Sequence, residues 1–329
     1  IDPERTASIL TDATDAVLGG ALTIATGLVI AQRDGVEAVA GGFGADGCWE
    51  AALARHAVVA MGRLGGREIG YASDADVLFV HEARDGADDA AAAQEAEAVA
   101  KQVVGLLASA RPHPLEVDSD LRPEGRQGVM SRSLAAYGEY YGRWAALWER
   151  QALLRARACA GDRELGGRFE ELINPLRWAE GGLSTQDLRE IRRIKARVET
   201  ERLPRGINPV RHLKLGPGGL SDVEWSAQVL QLAHAGQITG LRTTSTIAAL
   251  QAAVQGGLLS ADDGGVLVAA WILASRLRCA IVLGTGRASG PRSQVLPVQI
   301  REIRLVGRLI GLGSGREREL EDIYRRSAR

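Results

Sequence analysis

The sequence predicts an α+β protein, a small mixed sheet with helices followed by an all-α helical-bundle domain. Three observations predict it. Two short apolar runs, residues 57–61 and 77–80, flank a Gly65-Gly66 turn and read as buried strands. An Ala-rich helical stretch then leads to Leu115-Glu116-Val117-Asp118, whose alternation reads as a third strand. Everything after Ser131 spaces its apolar residues as helices do. At 329 residues the chain is long enough for two such cores.

Element by element, apolar positions from Ile9 to Leu28 predict a helix over 5–32, broken near Gly19-Gly20. Residues 35–47 form a Gly-rich connector. After the two strands, Val99, Val103, Leu106 and Leu107 share one face of a helix over 88–110, which Pro112 and Pro114 stop. Trp144, Leu147, Trp148 and Leu154 form one helical stripe, with both tryptophans expected in the core. Helices follow over 185–203, 221–235, 245–256, 262–284 and 298–311. Ser221 with Glu224 makes a capping-box pattern, so a helix is expected to start at Asp222, with Leu220 and Trp225 as its hydrophobic staple. The domain boundary is expected between 161 and 175, giving a lead-in over 1–48, an α/β domain over 49–163 and a helical bundle over 164–329.

Composition excludes several classes. The net charge of −1 argues against a chain drawn bodily to nucleic acid or to an anionic membrane. Of the 40 basic residues only Lys101, Lys195 and Lys214 are lysines, an Arg bias that discounts any single surface Arg. Residues 188–214 hold 9 basic against 3 acidic residues, but without the aromatic interleaving of a nucleic-acid face. Cys48, Cys159 and Cys279 are odd in number and far apart, which disfavours a disulfide framework and suits a reducing, cytoplasmic setting. The five His residues lack ligand spacing, so zinc is not expected. The apolar stretch 19–31 is too short to span a bilayer. The chain opens Ile1-Asp2-Pro3 without a Met, and a fragment of something longer is expected.

The chemistry concentrates after the Gly-Gly turn. In a strand, residues i and i+2 share a face, so Asp74 and Asp76 point the same way. Two carboxylates that close need a cation, and hard oxygen ligands in a half-open site suit Mg²⁺. An Asp-x-Asp that caps a surface turn is the plainer alternative. A third carboxylate must come from a neighbouring strand, where Glu116, Asp118 and Asp120 share one parity. Residues 74–124 carry 12 acidic against 4 basic residues, a field that divalent metal would neutralise. Gly65 and Gly66 allow close backbone approach to a phosphate, and Arg122 in the following turn is a candidate phosphate contact.

These residues resemble a known family. The run from Gly62 to Phe79, GRLGGREIGYASDADVLF, is similar to the signature of glutamine synthetase adenylyltransferases, G-[KR]-L-G-G-x-E-x-x-[YF]-x-S-D-x-D-[LV]-x-F. Three further motifs follow in the family's order. Glu116-Val117-Asp118 with Leu121-Arg122-Pro123 resembles E-V-D-x-x-L-R-P, and Trp148 to Arg157 resembles W-E-x-Q-A-L-x-[RK]-A-R. Lys214 to Trp225 resembles K-x-G-x-G-G-[IL]-x-[DE]-[IV]-E-[FW]. One departure is Asp120, where the family often has Arg.

The resemblance implies a nucleotidyltransferase-superfamily sheet of the DNA polymerase β type and a chain that is one of the two halves of a bifunctional adenylyltransferase/adenylyl-removing enzyme. Gly70-Tyr71, residues 79–82 and Ser221-Asp222 look more like the C-terminal, adenylylating half. Asp74, Asp76 and Asp118 would then hold Mg²⁺ and be catalytic, with Gly65, Gly66, Ser73, Arg122 and Lys214 contacting ATP. The implied acceptor is a tyrosine hydroxyl of glutamine synthetase, and the implied regulators are the PII signal protein and glutamine. No nucleic acid or membrane partner is expected. Three alternatives stand beside this reading: the phosphorolytic deadenylylating half, a non-catalytic nucleotide-binding regulatory module, and a uridylyltransferase of the PII protein, which the later motifs do not favour. The 214–219 loop is either a triphosphate or partner contact or a packing loop between domains.

Overall fold

The computed structural model describes residues 1–35, 49–288, 290, 292–313 and 315–328. The expected connector beyond Gly35 and Cys48 therefore lie outside the described residues. The chain divides into two compact units: an α/β unit, Thr11–Arg67 with Asp74–Leu176, and a helical unit, Ile1–Leu10 with Glu68–Ser73 and Arg177–Arg329.

The α/β unit is built on a sheet of β1 (Ala54–Ala60), β2 (Ala75–Ala83), β3 (Val117–Asp118), β4 (Ser131–Ser133) and β5 (Arg157–Gly161), ordered β3-β2-β1-β5 with β4 also pairing with β2. Strands β1 (Ala54–Ala60) and β2 (Ala75–Ala83) are antiparallel, with Ala60 opposite Val77. Between them lies a single helical turn, α2 (Gly62–Gly65). Helix α3 (Asp89–Ser109) follows β2, which runs parallel to β3 (Val117–Asp118) and to β4 (Ser131–Ser133). Strand β5 (Arg157–Gly161) closes the other side, antiparallel to β1. Ala57, Val59, Leu78 and Val80 pack on one face with Tyr137, Phe169 and Ile173, from α4 (Leu134–Trp144) and α6 (Arg163–Arg177). Val58, Ala60, Val77 and Phe79, of opposite parity, are buried as well. Covered on both faces, these strands read as apolar runs rather than alternating ones.

Several expectations change here. The helix α1 (Pro3–Asp34) passes unbroken through Gly19 and Gly20. A mid-helix glycine costs about 1 kcal/mol relative to alanine, which the flanking buried Leu18, Ala21, Leu22 and Ala25 outweigh. The region after Ser131 is not purely helical, since β4 and β5 are strands. Trp144 and Trp148 are 70% and 40% exposed, not core. Helix α4 ends at Trp144 and α5 (Leu147–Leu153) starts afresh, so the two tryptophans do not share one helical stripe.

The helical unit follows the predicted spacing closely in α7 (Thr185–Arg202), α8 (Leu220–His234), α9 (Thr246–Gln255), α10 (Ala261–Thr285) and α11 (Ile300–Leu309), and adds an unpredicted α12 (Leu320–Ser327). Its core gathers Leu220 and Val223, Ile247 and Leu250, Trp271 and Leu277, Val306, and Tyr324 from α8–α12. Ser221 does not cap α8. The cap is Gly219, and the carboxylate of Asp222 instead accepts the Gly218 N–H at 2.7 Å. Because α1 extends well beyond 19–31, the short-span reading does not hold by length. Both α1 and α10 are long and apolar enough to cross a bilayer, and each also buries part of its surface inside the protein, as core helices do.

Candidate active site

The parallel register of β2 and β3 sets Asp76 directly opposite Asp118, and Asp74 lies one residue before β2 begins. One carboxylate oxygen from each of Asp74, Asp76 and Asp118 lies within 4.8 Å of the others. Asp74 is exposed and the other two are half-buried. Backbone bonds fix the frame: Ala75 N–H donates to Glu116 O at 2.8 Å, and Met61 N–H donates to Asp76 O at 2.8 Å. The Oδ1 of Asp118 accepts the Asp120 N–H at 2.7 Å, which orients that carboxylate.

The remaining acidic candidates go elsewhere. Strand β3 stops at Asp118, so the parity argument does not extend to Asp120. The Asp120 carboxylate instead pairs with Arg126 at 2.6 Å and lies 3.6 Å from Arg122. Glu116 is exposed and contributes its carbonyl to the sheet edge.

The glycines serve packing more directly than phosphate approach. The N–H groups of Gly65 and Gly66 are donated within the turn, to Met61 O and Gly62 O. A Cβ on Gly65 would lie 1.7 Å from the carbonyl of Arg155, so the backbone of the Trp148–Arg157 motif occupies that space. Gly62 is not among the sequence candidates, yet its backbone lies against the Asp76 carboxylate. It has φ +51, and a Cβ there would lie 2.1 Å from Asp76 Oδ2. Its place at the head of the signature was the available signal.

Arg122 is buried, and its guanidinium holds its own loop. It donates to Ser119 O at 2.9 Å, Ser119 Oγ at 3.0 Å and Gly128 O at 3.1 Å. Ser73 and Lys214 belong to the helical unit. Ser73 Oγ accepts the Gly70 N–H at 3.1 Å, and the Lys214 carbonyl accepts the Ser221 N–H at 2.9 Å. In the 214–219 loop, Gly216 N–H donates to His212 O and Gly219 N–H to Gly216 O, both at 2.9 Å, and Gly218 packs against the backbone of Ala328. These contacts all lie within the helical unit.

The donor set suits a hard divalent cation. Three carboxylates converge, and Mg²⁺ takes such oxygens while keeping positions for water and phosphate oxygens. The Gly62 backbone, packed where no side chain fits, leaves the Asp76 carboxylate room at this point.

Comparison with known proteins bears on this geometry. The family model for glutamate-ammonia ligase adenylyltransferase matches residues 5–172, which include the signature, all three aspartates and the sheet. The chain belongs to the glutamate-ammonia ligase adenylyltransferase family. Within that adenylyltransferase family, it is 54% identical over 277 residues to the bifunctional glutamine synthetase adenylyltransferase/adenylyl-removing enzyme of Streptomyces coelicolor, covering 84% of this chain and 27% of that protein. The protein of the same description from Nocardia farcinica is 52% identical over 241 residues, covering 73% of this chain and 24% of the relative. That of Mycobacterium avium is 49% identical over 274 residues, covering 83% and 27%. The chain thus spans about a quarter of the length of these curated relatives. A second model, PII-uridylyltransferase, matches residues 190–329. The later motif at 214–225 therefore does not by itself separate this adenylyltransferase-family chain from uridylyltransferases, and the match over 5–172 carries that distinction.

Proposed function

We propose that this chain transfers AMP from ATP to a tyrosine hydroxyl of glutamine synthetase, releasing pyrophosphate and lowering nitrogen assimilation. The observation that carries the reading is the convergence of Asp74, Asp76 and Asp118 within 4.8 Å where β2 begins beside β3. These three residues would hold Mg²⁺, which when bound would offset charge developing on the phosphate oxygens. An unperturbed tyrosine has a pKa of about 10, so its attack needs a base. Asp118, oriented by the Asp120 N–H, takes the hydroxyl proton. The tyrosine oxygen then bonds to the α-phosphorus, and the bond to the pyrophosphate oxygen breaks. Gly65, Gly66 and Ser73 shape the signature around the nucleotide, Arg122 holds the loop that follows Asp118, and Lys214 supplies a cation to ATP. The setting is cytoplasmic. The PII protein and glutamine are the proposed regulators, and the PII-uridylyltransferase match over 190–329 supports the first.

The relatives' double description favours a second reading, the adenylyl-removing half, in which phosphate attacks adenylylated tyrosine at the same carboxylates. Incubating the chain with unmodified glutamine synthetase and labelled ATP tests the proposal. Label on glutamine synthetase supports it. ADP released from adenylylated glutamine synthetase and phosphate, without forward labelling, assigns the other half. Activity in neither direction marks a non-catalytic module.

A further inference from the structure

The chain leaves the α/β unit after Arg67 and returns to it at Asp74, so the six residues Glu68–Ser73 are built into the helical unit. Glu68 is 4% exposed. Its Oε1 accepts the N–H of Thr246 and its Oε2 accepts the Thr246 hydroxyl at 2.8 Å. Thr246 is the first residue of α9, where free N–H groups and the helix dipole favour a carboxylate. Ile69 is 5% exposed, and a Cβ on Gly70 would lie 3.7 Å from Cys279 Sγ, so the loop is packed as well as bonded.

This path is strained. Two residues with side chains, Arg67 at φ 57 and Ala72 at φ 55, adopt left-handed backbone beside and within the loop. Each costs about 1 kcal/mol or more and persists only where surrounding contacts impose it.

We infer that Glu68 is a positioning residue, whose clasp on Thr246 holds the strained loop that delivers Asp74 to the other two aspartates. The inference rests on the reading of those aspartates as a metal centre. Charge and acceptor count explain the residue type. Thr246 presents two donors, which one carboxylate satisfies, whereas a glutamine has a single oxygen and would turn its NH₂ toward a donor.

The test uses the full chain without nucleotide. Mn²⁺ binding is followed by electron paramagnetic resonance, and amide hydrogen exchange is followed in parallel. Glu68→Gln should weaken Mn²⁺ binding about tenfold and speed exchange across residues 69–76 by about tenfold or more, as expected for losing a charge-assisted bond. Exchange in α10 should not change. Thr246→Val should act in the same direction, Thr246→Ser should restore wild-type behaviour, and the Glu68→Gln/Thr246→Val pair should be no worse than Glu68→Gln alone. Unchanged Mn²⁺ binding and unchanged exchange at 74–76 in Glu68→Gln would overturn the inference, as would additive single effects. If Glu68→Gln does not fold, Thr246→Val against Thr246→Ser makes the same comparison. Absence of Mn²⁺ binding in the wild type would count against the metal reading alone, and the exchange comparison would still decide the clasp.

Discussion

Asp76 and Asp118 were legible from sequence as paired positions on parallel neighbours, whereas Asp74, one residue before β2, joins them through the loop that precedes it. Asp74→Asn and Asp118→Asn should each abolish AMP transfer while leaving the thermal melt in place; near-normal turnover by either would remove these carboxylates from the chemistry. Gly62 was not legible, because its reason is a close approach in space to Asp76 Oδ2 rather than a sequence pattern. Gly62→Ala must either move that carboxylate or shift the turn, and it keeps a left-handed φ with a Cβ. It should cost roughly 1–3 kcal/mol in urea unfolding and should weaken Mn²⁺ binding. A melt and a Mn²⁺ titration indistinguishable from wild type would show that the turn accommodates a methyl. Arg122 carried the right motif but a different task, since an arginine drawn into its own loop looks the same in sequence as one facing a phosphate.

Among the elements, those set by local periodicity were legible and those set by partners were not. Helices α7–α11 follow their apolar spacing within one or two residues. Strand β5, Arg157-Ala-Cys-Ala-Gly, has no β-branched residue and forms because β1 offers it backbone partners. The break expected in α1 fails for a related reason, because burial on one face outweighs a weak local preference. Gly20 is exposed, and a Cβ there would meet nothing within 4 Å. Gly20→Ala should therefore raise stability by about 0.5–1 kcal/mol, read as a higher denaturation midpoint at constant slope. No gain would mean that the helix frays at this point.

At the scale of the molecule, acid should unfold this protein early, through the α/β unit. His56 and His81 face each other across β1 and β2. Burial, with smaller contributions from His81 and Arg84, lowers His56 from 6.5 to about 3. Burial lowers His81 from 6.5 to about 4, against an opposing pull from Glu97, and its Nδ1 lies 2.9 Å from Ser131 Oγ. Both imidazoles stay neutral in the folded chain, whereas the unfolded chain binds their protons. The stability they permit is complete above pH 6.5 and falls as pH drops from there, to about 4 for His81 and about 3 for His56. The loss is on the order of 3 kcal/mol per fully buried imidazole. Urea midpoints measured between pH 8 and about pH 4.5 should fall, and His56→Gln with His81→Gln should flatten that profile; an unchanged slope in the double variant would place the acid sensitivity elsewhere.

The hexapeptide Glu68–Ser73 also bears on how such a chain can be inherited. Its neighbours in sequence are the α2 turn and strand β2, yet the Thr246 donors to its buried carboxylate arrive 178 residues later. A gene segment that ended between the sheet and Thr246 would encode all three aspartates and still strand Glu68 without its partner. A duplicated or shuffled segment that keeps the Glu68–Thr246 contact has to carry the chain into α9, so it is longer than the piece that holds the aspartates.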